Sequence, residues 1–205
     1  MLKSRFGKRL SGITTAVGRV FSKFGLSPNA WTMLTLAVAV PGFIALYYRQ
    51  LSAGLLFFFI AGCIDMVDGA VARFTKKTSA FGAFLDGVVD RYVEFLLYLG
   101  LWFYVRDAQG FILQNTVWIM LLMFGALMPS FIRAYADHKR AVTSPKDLER
   151  MGGLLERSER LDMLYVGMLA GIANTAYLVY AIALAAVLSH VTSLQRLFFV
   201  IQKQR

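Results

Sequence analysis

Cysteine is almost missing from this chain. Cys63 is the only one in 205 residues, which excludes a disulfide framework and a thiolate-rich zinc centre and leaves packing as its expected role. Histidine is nearly as scarce: His138 and His190 have no second His or Cys nearby, so surface or packing roles are expected rather than a zinc site. No apolar run long enough for a cleavable signal lies in the first 25 residues. Acidic residues are few, 12 against 22 basic ones.

What is abundant is apolar. A hydrophobic fraction of 58% and a mean hydropathy of +0.57 exceed what a soluble domain of this size carries, and they fit an all-α integral membrane protein. One membrane domain is expected over 1–205. Residues 1–24 interleave Lys3, Arg5, Lys8, Arg9, Arg19 and Lys23 with apolar positions at steps of three and four, which predicts an amphipathic interfacial helix. Asn29 reads as a helix N-cap and Trp31 as an interfacial anchor. A six-helix bundle over 30–200 follows, with transmembrane spans at 30–48, 52–74, 80–105, 112–136, 161–175 and 177–200. Pro41 is expected to kink the first, and Asn174 to Tyr177 to form the last turn.

With the N-terminus inside, only Arg49 and Arg106 of the 22 basic residues fall outside, and Arg91 falls within a span. The positive-inside rule therefore puts both termini on the cytoplasmic side of a multi-pass cell-membrane protein. A net charge of +10 could suggest nucleic acid. Sorted by membrane side, it is better explained by anionic lipid headgroups and phosphorylated substrates, and no nucleic-acid partner is expected.

The acids are placed against this background. Asp65, Asp68, Asp86, Asp90 and Glu94 lie inside stretches apolar enough to cross a membrane, where an ionised carboxylate costs several kcal/mol and marks function by default. Asp65 and Asp68 are three apart and Asp86 and Asp90 four apart, so each pair projects from one helix face. A polar connection from Thr75 to Ser79 would fold the two helices into an antiparallel hairpin, with the four carboxylates facing across it. Such crowding is tolerable around divalent cations, and hard oxygen ligands suit Mg²⁺ or Mn²⁺. Arg91 and Glu94, one turn apart, are expected to pair.

Written as a string, the stretch is D65-x2-D68-G69-x2-A72-R73-x8-G82-x3-D86-x3-D90. It resembles, at every fixed position, the signature of the CDP-alcohol phosphotransferase family of membrane enzymes. Pro28, Asn29 and Thr32 match that family's shorter PN-x-x-T opening. The resemblance implies transfer of a phosphatidyl-type group from a CDP-linked lipid to a small alcohol, with release of CMP. It implies two divalent metals at Asp65, Asp68, Asp86 and Asp90, a nucleotide site at Asp65, Asp68, Gly69, Ala72, Arg73 and Gly82, Asp90 as the catalytic base, and a homodimer. The chemistry agrees, since two metals can neutralise a diphosphate and stabilise its leaving group.

The acceptor is read from the basic loop. Ser130 and Arg133 share a helix face, as do Arg157 and Arg160, and guanidinium groups bind phosphate bidentately, so these residues suit an alcohol that already carries a phosphate. Ser130-x-x-Arg133 and Leu155-Glu156-Arg157-x-Glu159-Arg160 resemble the inositol-phosphate-using branch, the phosphatidylinositol phosphate and archaetidylinositol phosphate synthases, in which Lys is the commoner residue at the Arg133 position. Glycerol 3-phosphate as acceptor and CDP-inositol as donor stay open. Arg196 is read equally as an inner-face anchor or a cavity residue, and Gly167-x-x-x-Gly171 as a helix-packing motif. A divalent-cation transporter would spread its acids over several spans and show an inverted repeat; a prenyltransferase would need a second Asp-rich motif. Neither pattern is present.

Overall fold

The computed structural model describes residues 14–204, in which the regular structure is helical apart from an isolated bridge between Phe111 and Leu113. Residues 14–22 (α1) are followed by α2 (Pro28–Tyr47), α3 (Leu51–Phe74), α4 (Ala80–Val105), α5 (Asn115–His138), α6 (Pro145–Arg150), α7 (Arg157–Gly171) and α8 (Thr175–Lys203). Of the expected interfacial helix, 1–13 lie outside the described residues. The described part docks on the bundle: Val17 and Phe21 pack with Trp31, Val67 and Val71.

Local chemistry explains the boundaries. Ser27, not Asn29, caps α2: its Oγ accepts from the Ala30 N–H, and Pro28 occupies the first turn, where its missing donor is harmless. Asn29 is thereby freed for the first turn. The Ser79 Oγ accepts from the Gly82 N–H at 2.9 Å and Asn174 caps α8. A reciprocal capping box between Glu156 and Glu159 starts α7 at Arg157, four residues before the expected span. α2 continues through Pro41 as one helix. The basic loop contains α6, a short helix that the sequence pattern did not reveal.

Trp31 is not an exposed anchor. It is buried, with Phe21 and Phe24 edge-on at ring-centroid distances of 5.5 Å and 6.2 Å, because α1 folds back over it.

Four helices, α2, α3, α5 and α8, are long and apolar enough to cross a membrane. α4 has 26 residues but carries Asp86, Asp90, Arg91 and Glu94, and the 15 residues of α7 span about 22 Å. The outward faces bear large apolar side chains such as Met33, Leu56, Met120, Phe124, Val166 and Leu184, as a lipid-facing surface requires.

The hairpin of α3 and α4 is an open one. α2 lies against both α3 and α4, while α3 and α4 hardly touch each other; α5 and α7 pack on α8, and α3 meets α7. The two acid-bearing helices are therefore splayed, which leaves room between them. A wedge at the other end keeps them so: the fully buried Leu46 of α2 sits on Gly54 of α3 and Gly100 of α4, where an added Cβ would come within 2.5 Å and 2.7 Å of its side chain.

Gly100→Ala should overfill this notch and destabilise the fold by about 1–3 kcal/mol, whereas Leu46→Ala should cost about 2–5 kcal/mol by leaving a cavity. Thermal unfolding in detergent checks both; an unchanged midpoint in either contradicts the wedge.

Candidate metal and nucleotide site

The acids of α3 and α4 face one another across the space between the two helices. One carboxylate oxygen from each of Asp65, Asp68 and Asp86 lies within 4.8 Å of the others. Asp68 is buried, and Thr32 of α2 donates to its Oδ2 at 2.6 Å. That hydrogen bond fixes one carboxylate rotamer from outside the pair of acid-bearing helices. Asp90 stands one turn beyond Asp86, and its Oδ2 accepts from Nη1 of Arg157 on α7.

Two cavities meet at this cluster. The smaller, about 170 Å³, includes Asp68, Gly69, Ala72, Arg73, Gly82 and Asp86 in its wall, so five of the six residues expected at a nucleotide share one space. Asn29 and Thr32 close it from α2, and Lys77, Thr78 and Ser79 from the connection. Its glycines are there for room: an added Cβ at Gly82 would lie 3.1 Å from the Ser79 Oγ and 3.3 Å from the Asn29 Oδ1. Among the described residues Arg73 makes no ion pair or hydrogen bond through its guanidinium, and it is exposed at the mouth.

The larger cavity, about 580 Å³, lies between α3, α4 and α7 and is lined by Asp65, Asp90, Glu94, Glu156, Arg157 and Asp162 at its polar end. Phe58, Val93, Leu97 and Leu161 make the rest apolar. Cys63, expected to pack, is exposed on this wall.

The acceptor residues separate. Arg157 lines the large cavity, half-buried, and its Nε is buried without a hydrogen-bond partner. Arg160 does not join it there. Its guanidinium is 2% exposed and bound to Glu94 and Tyr98, because a buried Glu94 requires more than the Arg91 pairing at 2.8 Å. Ser130 and Arg133 are exposed on α5, and Arg133 makes no ion pair among the described residues. They follow Pro129, whose carbonyl accepts from Arg196 Nη1 at 2.8 Å; Arg196 Nη2 reaches Glu156 at 2.7 Å. Arg196 is thus a buried tie behind the cavity. Gly167 and Gly171 pack on Ala181 and Leu178 of α8, and His190 meets the Leu121 carbonyl at 3.1 Å.

Tyr98 carried no signal in the sequence, since its Arg160 partner is remote in the chain. Thr32 and Glu156 stood there as motif positions without a role of their own.

The donor set suits a hard divalent cation: three carboxylates offer oxygens close enough together to hold one.

Comparison with known proteins agrees. Residues 25–202 match the family model described as CDP-alcohol phosphatidyltransferase. The phosphatidylinositol phosphate synthase of Mycobacterium tuberculosis is 31% identical over 198 residues, covering 90% of this chain and 84% of that protein. An archaetidylinositol phosphate synthase of Methanothermobacter thermautotrophicus is 33% identical over 144 residues, covering 70% and 67%. The chain spans 36% of the length of a bifunctional IPC transferase and DIPP synthase of Aquifex aeolicus, with 30% identity over 161 residues.

Crystal structures of the mycobacterial enzyme superpose with TM-scores of 0.77, in complex with manganese and citrate, and 0.76, with CDP-DAG bound. Their identities are 28% and 27%; each covers 92% of this chain, and 88% and 93% of that one. With the signature, the gathered carboxylates and the match over nearly its whole length in agreement, this chain belongs to the CDP-alcohol phosphatidyltransferase family of metal-dependent membrane enzymes.

Proposed function

We propose that the enzyme transfers a phosphatidyl-type group from a CDP-linked lipid to a phosphorylated alcohol, inositol phosphate above others, and releases CMP. The observation that carries this reading is Arg157, which lines the large cavity with its guanidinium held beside Asp90. A guanidinium in that place selects an acceptor with its own phosphate. Exposed Ser130 and Arg133 would complete the acceptor contact from α5. The names of the relatives, phosphatidylinositol and archaetidylinositol phosphate synthases, support the same class.

In this mechanism Gly69, Ala72, Arg73 and Gly82 hold the cytidine nucleotide in the smaller cavity, with Asp65 and Asp68 beside its diphosphate. Asp65, Asp68, Asp86 and Asp90 would hold two Mg²⁺ or Mn²⁺ ions, which supply charge neutralisation at the diphosphate when bound. Asp90 takes the proton of the acceptor hydroxyl, whose oxygen attacks the β-phosphorus; the new P–O bond forms as the bond to the CMP oxygen breaks. Arg157 holds the acceptor phosphate beside Asp90 and so orients the hydroxyl.

The reading extends to the whole chain as one domain with six spans, α2 to α5, α7 and α8. α4 is counted because its acids point inward. Arg73, Lys76, Lys77 and the cations between Arg133 and Arg160 support a cytoplasmic site with both termini inside. A homodimer is part of the same proposal.

Asp90→Asn should lower turnover by about 10²–10⁴-fold, while CDP-lipid binding stays within about twofold of wild type. Turnover and lipid binding assayed side by side check this, and unaltered turnover contradicts the role.

The second experiment measures CMP release from a CDP-lipid with inositol phosphate, glycerol phosphate, serine and unphosphorylated inositol offered separately. Inositol phosphate should be fastest. A preference for either acceptor without phosphate contradicts the Arg157 pocket.

A further inference from the structure

Across the large cavity, α4 and α7 are joined by side chains, since their backbones approach little. The joints form two stacked rungs. The upper one is Asp90 with Arg157, at the cavity. One turn deeper, Glu94 Oε1 accepts from Arg160 Nη2 at 2.5 Å and from its Nε at 3.1 Å. The Tyr98 hydroxyl donates to that same oxygen at 2.6 Å and accepts from Arg160 Nε at 3.0 Å.

The lower rung is an expensive way to hold helices together. Its side chains are 2% and 4% exposed, and an ion pair so desolvated is often no more stabilising than a well-packed apolar pair of the same volume. What the ions add is direction, because a planar fork on a carboxylate fixes rotation and height where a Leu or Met contact would let α7 slide. Sequence spacing then transmits that register: Asp90 precedes Glu94 by four residues and Arg157 precedes Arg160 by three, one helical turn on each side. Arg157 depends on this. It opens α7 at the end where helices fray, and its Nε has no partner.

We infer that Glu94 and Arg160 are positioning residues for the acceptor: their buried rung sets α7 against α4 so that Arg157 stands beside Asp90 in the cavity. The inference rests on Arg157 as the acceptor-phosphate ligand. It replaces the direct phosphate contact that sequence spacing suggested for Arg160.

The test is steady-state kinetics of the purified enzyme in detergent, with inositol phosphate varied at saturating CDP-lipid and the reverse. The apolar set Glu94→Met, Arg160→Met and Tyr98→Phe, which leaves no hydroxyl of the rung unpaired, should unfold at the wild-type temperature or above. It should nevertheless raise the acceptor KM about tenfold while the donor KM moves less than about twofold. Tyr98→Phe, which removes one hydroxyl at constant shape, should raise the acceptor KM about threefold. As a single substitution it decides alone if the combined variant does not fold.

An unchanged acceptor KM, or both KM values rising together, overturns the positioning role. Arg157→Gln separates the two ideas. A normal acceptor KM in that variant contradicts the acceptor reading itself, whereas a raised one beside normal rung variants contradicts the rung alone.

Discussion

Four carboxylates held between apolar helices are the constraint that the rest of this molecule answers. Each would destabilise the fold if left as an isolated charge in hydrocarbon. The structure deals with them by separation and by partners. α3 and α4 diverge around α2, Thr32 pins Asp68 at 2.6 Å, and Arg157 reaches across from α7 to Asp90. What results is a wall of carboxylate oxygens with a cavity on either side.

That placement also explains the division of the basic residues. Cations near the acids serve two purposes that composition cannot tell apart. Arg160 and Arg196 are buried and committed, to Glu94 with Tyr98 and to Glu156 with the Pro129 carbonyl respectively. Arg73 and Arg133 make no ion pair among the described residues, and Arg157 lines the large cavity beside Asp90. A guanidinium held on a buried carboxylate or carbonyl fixes the helices it joins, whereas one at a cavity wall is placed to meet a phosphate.

Much of the site was legible in the primary structure because its spacing is helical and local. Asp65 with Asp68 and Asp86 with Asp90 fall on single faces by periodicity alone, and Gly69, Ala72, Arg73 and Gly82 came to one cavity as the family signature implies. The spans of α2, α3 and α4 match hydropathy to within two residues at either end. Long-range partners were not legible. Arg160 reads like Arg157 in sequence, and only the depth of Glu94 on a neighbouring helix separates their fates. Trp31 had the composition of an interfacial anchor, yet α1 covers it. The width of the hairpin was not legible for the same reason: a polar connection sets how two helices are joined, not how far they diverge.

The central claim is that these carboxylates exist to hold a pair of divalent ions against a nucleotide diphosphate. It is tested most directly by counting Mn²⁺ bound to the purified enzyme, by electron paramagnetic resonance, with and without CDP-lipid. Two ions per chain are expected with the lipid present, and fewer than one in the Asp65→Asn, Asp86→Asn double variant. Retention of both ions by that variant, or lipid-independent binding of none by the wild-type enzyme and none with CDP-lipid, would contradict it.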